Sequence, residues 1–483
     1  MMNDLQSFVE SKEELKIDRN KDFGEWWRAI LRATDIVDDR YPAKGFYYYP
    51  SYGYEIVRRV FDFVRDIFYK YGFEEERYPA LIPASIFMKE KEFFEGFQGE
   101  GYVIKETLQG EKLEEPLILR PTSETAIYHF WSLRIKSYRD LPKRMFQIVN
   151  IWRCETKMTK PFLRLREVTF FKEAHTAHRT REESEKQIEE AIEIYKKILD
   201  TLLIPYIIIR TPKWDTFPGA LYNYDFITVL PDKKLLELGS VINLGQKFSE
   251  QFDIKFLDED GKEKGVWQTC FGISERLIGA MLALHSDDLG LVIHPDFAPI
   301  QIVIVPILKK NEDKDKIIEY SKKIKDVLED EYRVFLDIRD DKTAGWKYYY
   351  WDLKGVPLRI DIGKREVEEQ KVTVVRRDTK EKISIDLQEI PNIIRDLIDD
   401  IKIFLKKRAE NILNEYLTEV TSLEDAQSLR CGIIPVCNNK EHADLLKEKD
   451  IDIQGFIENY NKTGKCIVCG KDTTSWAIFG KTY

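Results

Sequence analysis

Long apolar runs are missing from this chain of 483 residues, although hydrophobic residues make up 43% of it. The stretch APIQIVIVPIL (298–308) is too short and too interrupted for a membrane helix, which needs about 20 mainly apolar residues. The N-terminal stretch MMNDLQSFVESKEELK mixes charges and lacks the apolar core of a secretory signal. We therefore expect a cytoplasmic protein with no membrane partner.

Cysteine is also scarce, with six residues in the chain. Cys154 and Cys270 stand alone in apolar surroundings, and we predict that both are core thiols. The others cluster after residue 430, as Cys431, Cys437, Cys466 and Cys469. In a cytoplasmic chain, such clustering favours a bound metal over disulfides.

An excess of positive charge is absent too. The net charge of −9 argues against a broadly basic surface for nucleic acid, but not against a local basic patch. Because the chain is too long for one core, we divide it into units. The first covers 1–295. An α/β unit over 296–405 alternates apolar runs with helical stretches, and a small unit over 406–483 holds the cysteine cluster.

Hydrophobic periodicity predicts the secondary structure of the first unit. Helices are predicted within 1–40, over 54–71 and near 274–285, and strands near 204–210, 225–230 and 234–243. Residues 143–156 and 163–174 are predicted to form a hairpin around KMTKPF. Thr180 and Glu183 have the spacing of a capping box, which opens a further helix.

Charged residues cluster on the predicted hairpin. Arg153 and Glu155 are two residues apart, as are Arg164 and Arg166, so each pair shares one face of a strand. Guanidinium groups held in this way suit a polyphosphate, because they donate bidentate hydrogen bonds. A solvated, salt-bridged hairpin is the alternative, and the spacing alone favours it.

Arg276 is predicted in the first turn of the helix that follows Gly272. A helix N-terminus favours anions, so this position suits phosphate, with a surface arginine as an equal alternative. His175 and His178 have helical spacing. Since no ligand cluster lies near them in sequence, we expect a pocket-lining or helix-entry role rather than a zinc site.

Several motifs together resemble one family: RPTSET (120–125), RCET, RLRE and KEAHTAH (within 153–178), QTCFGISERLIG (268–279), LKGVPLRIDIG (353–363) and the terminal GKTY. From residue 20 onward the chain is similar to prolyl-tRNA synthetases of the archaeal and eukaryote-like type. The resemblance implies an α/β multidomain protein. Its α+β catalytic domain would carry the antiparallel sheet of class II aminoacyl-tRNA synthetases, followed by an α/β anticodon-binding domain and a small C-terminal zinc-binding domain. The interval between Arg153 and Arg276 leaves no room for the editing insert of bacterial relatives.

The resemblance also implies a reaction and its participants: ATP with Mg²⁺, L-proline, tRNA(Pro), and a homodimer with Pro79 at its interface. Thr122 and Glu124 would accept the two N–H donors of the prolyl ammonium. Arg153 and Arg276 would be catalytic, Arg153 at the α-phosphate and substrate carboxylate, and Arg276 at the outer phosphates. The implied proline pocket contains Thr122, Glu124, Arg153, Phe171, Glu173, His175, Phe217 and Ile242. The implied ATP site contains Arg153, Glu155, Arg164, Arg166, Glu237, Ser240 and Arg276.

Three positions in ELGSVINLGQKF (237–248) depart from the family pattern. Ser240 replaces a threonine and keeps a hydroxyl for ATP. Glu237 replaces a glutamine and, as a carboxylate, is a better Mg²⁺ ligand. Ile242 replaces a histidine at the proline site, which leaves open a change in amino-acid specificity.

The zinc ligands follow from spacing and resemblance together. Cys466-x2-Cys469 is a strong zinc knuckle. The family completes it with a Cys-x4-Cys pair, a spacing that Cys437 and His442 match and Cys431 does not. We therefore predict that Cys437, His442, Cys466 and Cys469 bind a structural Zn²⁺, with Cys431 outside the site.

Two aromatic residues carry open alternatives. By resemblance, the carboxylate of the terminal Tyr483 folds back toward the catalytic domain, whereas a frayed end is the default from sequence. Trp346 stands where relatives often have arginine. It would either stack on a base of the anticodon or be buried as part of the core.

Three hypotheses for function remain after this step. The leading one is a synthetase of this family. The second is a diverged class II paralogue that activates another small amino acid, which Ile242 motivates. The third is a non-catalytic tRNA-binding derivative. Thr122, Glu124, Arg153, Glu155 and Arg276 together argue against the third, since a protein without catalysis would not need all five.

Overall fold

The structure is a computed structural model that describes residues 17–89, 95–96, 99, 101–309 and 313–483. The first sixteen residues, predicted as helical, lie outside this range. The first part of the chain contains α1 (Phe23–Ala33), α2 (Ser51–Lys70), β1 (Glu74–Glu75), β2 (Leu81–Pro83), α3 (Ala84–Phe87), β3 (Tyr102–Glu106), β4 (Lys112–Leu119), α4 (Glu124–Arg134), β5 (Lys143–Trp152), β6 (Glu167–His178) and α5 (Arg181–Thr201).

The next part completes the predicted first unit. It contains β7 (Ile207–Arg210), β8 (Tyr222–Val229), β9 (Leu235–Gly245), α6 (Lys247–Gln251), β10 (Lys255–Leu257), β11 (Glu263–Gly265), β12 (Trp267–Ser274) and α7 (Arg276–His285). Short 3₁₀ helices lie at Tyr138–Asp140 and Pro295–Phe297. The helices and strands predicted here are confirmed to within a few residues, except around the hairpin.

A sheet of ten strands, in the order β1-β5-β6-β12-β9-β8-β7-β19-β22-β18, dominates the structure. The β1–β5 pair is parallel, and the pairs from β5 onward are antiparallel. Helices α2, α5 and α7 pack together over one face, where Phe271 and Val241 join the main hydrophobic core. Since successive side chains of a strand point to opposite faces, Cys270 and Ile242 face the other side. This alternation decides which residues can line a site there.

The unit predicted over 296–405 is confirmed as α/β. It contains β13 (Ile302–Pro306), α8 (Lys314–Leu328), β14 (Val334–Leu336), α9 (Ala344–Lys354), β15 (Leu358–Ile362), α10 (Lys364–Glu369), β16 (Lys371–Arg376), β17 (Lys382–Asp386) and α11 (Ile390–Tyr416). Its five-stranded sheet has the order β14-β13-β15-β16-β17, with parallel pairs first and antiparallel pairs after. The predicted boundary at residue 405 falls inside α11.

The last part of the chain joins the first. It contains α12 (Leu423–Ser428), β18 (Cys431–Pro435), α13 (Lys440–Lys447), β19 (Ile453–Ile457), β20 (Gly464–Lys465), β21 (Asp472–Thr473) and β22 (Trp476–Gly480). Strand β19 pairs with β7, so three C-terminal strands extend the large sheet. The end of the chain is thereby held against the first unit instead of fraying.

The predicted hairpin is real, but its first strand is shorter than predicted and its second strand lies further along the chain. β5 ends at Trp152 and β6 begins at Glu167, so Arg153, Glu155, Arg164 and Arg166 lie in the connecting loop. The loop contains Phe162 in a left-handed conformation with φ of 62°, which turns the chain inward. The indole N–H of Trp27 binds the carbonyl of Pro161 at 3.0 Å, which anchors the loop on α1.

The capping box before α5 forms only in part. The Thr180 hydroxyl accepts the backbone N–H of Glu183 at 3.2 Å, as predicted. The Glu183 carboxylate instead accepts the N–H of Arg179, one residue before the cap. Within the described part of the chain, no helix combines the length and the apolar character needed to span a membrane.

Candidate active site

A cavity of about 480 Å³ lies on the face of the large sheet away from α5 and α7. Its walls come from β6, β8, β9 and β12, the first turn of α4, the loop between β5 and β6, and the last two residues. Most residues predicted for substrate and ATP line it: Thr122, Glu124, Arg153, Glu155, Phe171, Glu173, His175, Phe217, Glu237, Ser240, Ile242 and Arg276. Their individual roles stay predictions, but the structure places them around one space.

Arg164 and Arg166 do not line this cavity. The Arg164 guanidinium donates to the Glu155 carboxylate at 2.9 Å, and that of Arg166 donates to the Glu155 carbonyl at 3.0 Å. Both arginines therefore shape the loop around Glu155. The prediction that they share a strand face is wrong, because the strands end before reaching them.

The TSET segment forms one end of the cavity. The Thr122 hydroxyl donates to the Glu124 carboxylate at 2.5 Å, and both side chains are buried. Burial raises the pKa of Glu124, and the nearby carboxylate of Glu173 adds to this, while His175 opposes it. Burial disfavours the charged form of Glu124, and a cation beside the carboxylate would stabilise it. This end of the cavity therefore favours a cationic ligand.

Glu173 has different surroundings from Glu124, although both are buried. It accepts hydrogen bonds from the Ser123 hydroxyl at 2.5 Å, the Gln147 amide at 2.8 Å and the His175 ring at 3.3 Å. Burial alone would raise the pKa of Glu173, but the hydrogen bonds from His175 and Ser123 lower it below its ordinary value. Glu173 is thus the fixed anion that positions His175 and the start of α4.

His175 and His178 lie on β6, so the prediction of helical spacing is wrong. Residues three apart on a strand point to opposite faces, which separates the two rings. His175 faces the cavity and its Nδ1 lies 3.0 Å from the Tyr128 hydroxyl. His178 bonds to Thr176 at 2.8 Å, and burial lowers the pKa of His178 to about 4. The pocket-lining role therefore holds for His175 only.

Arginines converge at the other end of the cavity. Arg153 donates from Nε to the Pro121 carbonyl at 3.0 Å. Arg276 begins α7, donates to the Leu163 carbonyl at 3.3 Å, and lies 3.6 Å from the Glu237 carboxylate. Burial lowers the pKa of Arg276, and the positive charges of Arg153 and Arg164 lower it further. Guanidinium groups that converge at one end of a cavity favour a polyanion.

A polar network that the sequence did not reveal lies beside Glu237. The Ser240 hydroxyl contacts the carboxylates of Asp225 at 2.6 Å and Glu237 at 3.0 Å. Asp225 also accepts bonds from Thr211 and Asn223. Burial, followed by the charge of Glu237, raises the pKa of Asp225 to about 6. The sign of this network in the sequence was the alternation of polar residues in β8. A strand with one solvent-exposed face would show the same pattern, so sequence alone could not identify the network.

Two further residues, Cys270 and Tyr483, line the cavity in addition to those predicted for substrate and ATP. Cys270 was predicted as a core thiol; it is buried, yet it lines the cavity beside Glu124 and His175. Tyr483 was predicted by resemblance to fold back toward the catalytic unit, and it also lines the cavity. Its backbone N–H binds the Leu235 carbonyl at 3.1 Å, and its hydroxyl donates to Asp232 at 2.5 Å.

Arg120, the guanidinium of the RPTSET motif, serves the architecture. It is buried and donates to the carbonyls of Asn150 and Tyr78, both at 2.8 Å. It thereby joins the end of β4 to β5 and to the segment that contains Pro79. Pro79 itself is exposed.

The predicted zinc ligands meet in the C-terminal part. Cys437, His442, Cys466 and Cys469 each offer a ligand atom, and these atoms all lie within 4.8 Å of one another. The Sγ atoms of Cys437 and Cys469 are 3.9 Å apart, and Sγ of Cys466 is 3.4 Å from Nδ1 of His442. This donor set, three thiols and an imidazole, fits tetrahedral Zn²⁺.

Cys431 lies outside this cluster, as predicted. It is buried in β18, and its thiol lies 3.6 Å from the carbonyl of Tyr416. In the five-stranded α/β unit, the half-buried Trp346 stacks on Tyr350 with ring centroids 4.9 Å apart, and Arg339 lies 5.1 Å from the Trp346 ring. Base stacking and a core role for Trp346 both stay predictions.

Comparison with known proteins places this geometry in context. Residues 102–285 match the tRNA synthetase class II core domain (G, H, P, S and T), and residues 301–397 match an anticodon binding domain. A proline–tRNA ligase of Ignicoccus hospitalis is 42% identical over 97% of this chain and 100% of its own length.

Solved structures agree with the sequence comparison. Giardia lamblia prolyl-tRNA synthetase in complex with prolyl-adenylate superposes with a TM-score of 0.92 at 32% identity, covering 96% of this chain and 99% of that one. Cryptosporidium parvum prolyl-tRNA synthetase with L-proline and AMP gives a TM-score of 0.90 at 27% identity, covering 97% and 99%.

Proposed function

Because this chain belongs to the family of the proline–tRNA ligases, we propose that it activates L-proline with ATP and transfers the prolyl group to tRNA(Pro). The observation that carries the proposal is the shared cavity. The buried Thr122–Glu124 pair and the arginines Arg153 and Arg276 line the same space. One end suits a small cation and the other a polyphosphate.

The first step joins proline to the adenylate. A carboxylate oxygen of proline attacks the α-phosphorus of ATP, the bond to the bridging oxygen breaks, and pyrophosphate leaves. Catalysis here rests on positioning and charge stabilisation, so no side-chain nucleophile is required. Arg153 would hold the α-phosphate and the carboxylate, and Arg276 would hold the outer phosphates.

Recognition of proline would use the opposite end. The secondary ammonium has two N–H donors, and Thr122 with Glu124 offers two acceptors. Because burial raises the pKa of Glu124, its carboxylate is stabilised when a cation binds beside it. The ring would then contact Phe171, Phe217 and Ile242, which contribute apolar surface.

The second step transfers the prolyl group. A ribose hydroxyl at the 3′ end of tRNA attacks the acyl carbonyl, and AMP leaves with its electron pair. We propose that the anticodon end of the tRNA binds the five-stranded sheet unit. The division into a catalytic domain over 1–295, an anticodon-binding domain over 296–405 and a zinc-binding domain over 406–483 is part of this proposal.

Two metals accompany the proposal. Mg²⁺ would reduce the charge repulsion between phosphate oxygens, and Glu237 and Asp225 are the carboxylates of this chain at that position. Zn²⁺ would be held by Cys437, His442, Cys466 and Cys469 as a structural ion, because four protein ligands leave no open position.

A homodimer is proposed from the family. The exposed Pro79 and the neighbouring exposed apolar side chains of Leu81 and Phe130 support an interface there. Sedimentation of the purified protein tests this point. Since the family charges tRNA for protein synthesis, we place the reaction in the cytoplasm.

A second candidate function keeps the chemistry and changes the amino acid. It rests on Ile242, which faces Cys270 across the β9–β12 pair and forms part of the pocket wall. Amino-acid-dependent ATP–pyrophosphate exchange, measured with proline, alanine, cysteine and the other amino acids, separates the possibilities. Fastest exchange with proline supports the main proposal, fastest exchange with another amino acid supports the second, and exchange with none of them overturns both.

A further inference from the structure

Three side chains that bind transition metals meet on the floor of the cavity. Glu124, His175 and Cys270 each present a ligand atom, and these atoms all lie within 4.8 Å of one another. All three side chains are buried. They come from the start of α4, from β6 and from β12, so they are distant in sequence and only the fold joins them.

The strand register explains the arrangement. His175 and Cys270 are direct partners in the β6–β12 ladder, and direct partners point to the same face of a sheet. Ile242 is the partner of Cys270 on its other side and offers no ligand atom. The cluster therefore has a nitrogen, a sulfur and an oxygen donor, with one side open to the cavity.

The surroundings of His175 and Glu124 resemble the outer contacts of metal ligands. Ligating histidines usually donate their second ring N–H to a carboxylate, which fixes the ring. The Glu173 carboxylate lies 3.3 Å from Nε2 of His175, and the Thr122 hydroxyl donates to Glu124. With Nε2–H directed to Glu173, Nδ1 could exchange its hydrogen bond from Tyr128 for a metal.

The charges of the ligands match a divalent ion. Zinc binds the thiolate form of cysteine, so an ion that enters this site displaces the thiol proton of Cys270 to solvent. A divalent ion would balance both negative charges while the imidazole binds as a neutral ligand. The mixed nitrogen, sulfur and oxygen donors suit zinc better than magnesium, which prefers oxygen alone.

We propose that Glu124, His175 and Cys270 form a second zinc-type site on the floor of the amino-acid pocket. Glu124 is also the proposed partner of the prolyl ammonium, and in this respect the inference rests on the proposed function. A zinc ion on Glu124 would take up the negative charge of the carboxylate and would repel the prolyl ammonium at close range. Zinc at this site therefore inhibits amino-acid activation by competing with proline.

Metal content tests the site without any reaction. The full-length protein without a histidine tag is incubated with Zn²⁺ or Co²⁺, desalted and analysed for bound metal. The wild type should hold one more equivalent than Cys270→Ser, and Co²⁺ at the pocket should show a thiolate charge-transfer band that Cys270→Ser lacks. Cys431→Ser is the matched control: it removes another buried thiol, outside both clusters, and should retain the wild-type count.

Competition is measured next on the wild type and on Cys431→Ser. Zinc at ten times its dissociation constant should raise the apparent KM for proline about tenfold in ATP–pyrophosphate exchange, while kcat stays unchanged. Cys270→Ser should show no such increase. In the wild type, added proline should also displace cobalt from the pocket, a measurement that needs no variant and holds even if Cys270→Ser fails to fold.

The outcomes separate the inference from the proposed function. Equal metal content in the wild type and a folded Cys270→Ser, or cobalt that proline does not displace, overturns the inference. Zinc that stimulates exchange overturns the competitive role. Absence of exchange in folded protein that carries zinc only at the C-terminal cluster instead contradicts the proposed function, and the metal count then still decides the site.

Discussion

The hydroxyl group of Tyr49 donates a hydrogen bond to the carboxyl group of Glu275, the residue directly before Arg276. The same carboxyl accepts the backbone N–H groups of Thr169 at 2.5 Å and Phe170 at 3.2 Å. Glu275 is fully buried. It therefore ties the start of α7, and with it Arg276, to the beginning of β6 and to the N-terminal region.

Glu275 should make stability depend on pH. Burial raises the pKa of Glu275 from 4.5 to about 7, with the charge of Glu167 adding to this and hydrogen bonds from Tyr49, Phe170 and Thr169 opposing it. The folded state thus binds more protons than the unfolded state between these values, so the stability from this group is lost as pH rises from about 4.5 to 7. The loss amounts to about 3 kcal/mol.

Glu275→Gln tests this dependence. The amide can accept from Thr169 and Phe170 and donate to Tyr49, so the fold should be retained. Between pH 5 and pH 8, the urea midpoint of the wild type should fall relative to that of Glu275→Gln. Parallel midpoints across that range would contradict the prediction. Glu275→Ala leaves three donors without an acceptor, at a cost of about 1–3 kcal/mol for each, and its loss of stability relative to the wild type should be larger at pH 5 than at pH 8.

Glu124→Gln should weaken proline binding selectively. The variant removes the counter-charge of the ammonium, an interaction worth about 1.5–3 kcal/mol, so kcat/KM for proline should fall about 10- to 100-fold. The KM for ATP should change little. Because the pKa of Glu124 is raised, kcat/KM of the wild type for proline should fall as pH falls through that pKa. The kcat/KM of Glu124→Gln should not show this decrease. An equal loss for ATP and proline would speak against the assignment.

Cys466→Ser should remove the C-terminal metal. The variant removes one of four ligands and should bind one equivalent of zinc less than the wild type. The C-terminal strands should then unfold at a lower temperature. Cys431→Ser, in the same region but outside the cluster, should retain the zinc. Metal analysis and thermal unfolding of both variants check this, and loss of zinc from Cys431→Ser would mean that the ligand set is wrong.

Tyr483 should influence the site mainly through its position. Tyr483→Phe keeps the ring beside Lys160 and Lys234 but loses the hydrogen bond that the hydroxyl donates to Asp232 and the one that it accepts from Lys160, so a loss of about 1–2 kcal/mol is expected. Deletion of Tyr483 also removes the backbone bond to Leu235 and part of the cavity wall, and should raise the KM for ATP or proline much more. Equal kinetics for the two variants would show that the end of the chain does not matter.

Local patterns identified much of this architecture. The apolar spacing at 54–71 predicted α2, and the alternation of apolar runs and helical stretches predicted the five-stranded α/β unit. The extent of the strands in the hairpin was not predictable. Arg153 with Glu155 and Arg164 with Arg166 have strand-like spacing. The loop that holds them is stabilised by Trp27, which is distant in sequence.

The sequence by itself determined the chemistry available to this protein: a polar TSET segment after a strand, arginines near two later elements, and cysteines with zinc spacing. These are local properties, since a short stretch of chain carries each one. Only the tertiary structure decided that Cys270 meets Glu124 and His175, that Asp225 joins Glu237, and that Tyr483 reaches the cavity. These contacts depend on strand order and register, which arise from the packing of the whole sheet against its helices.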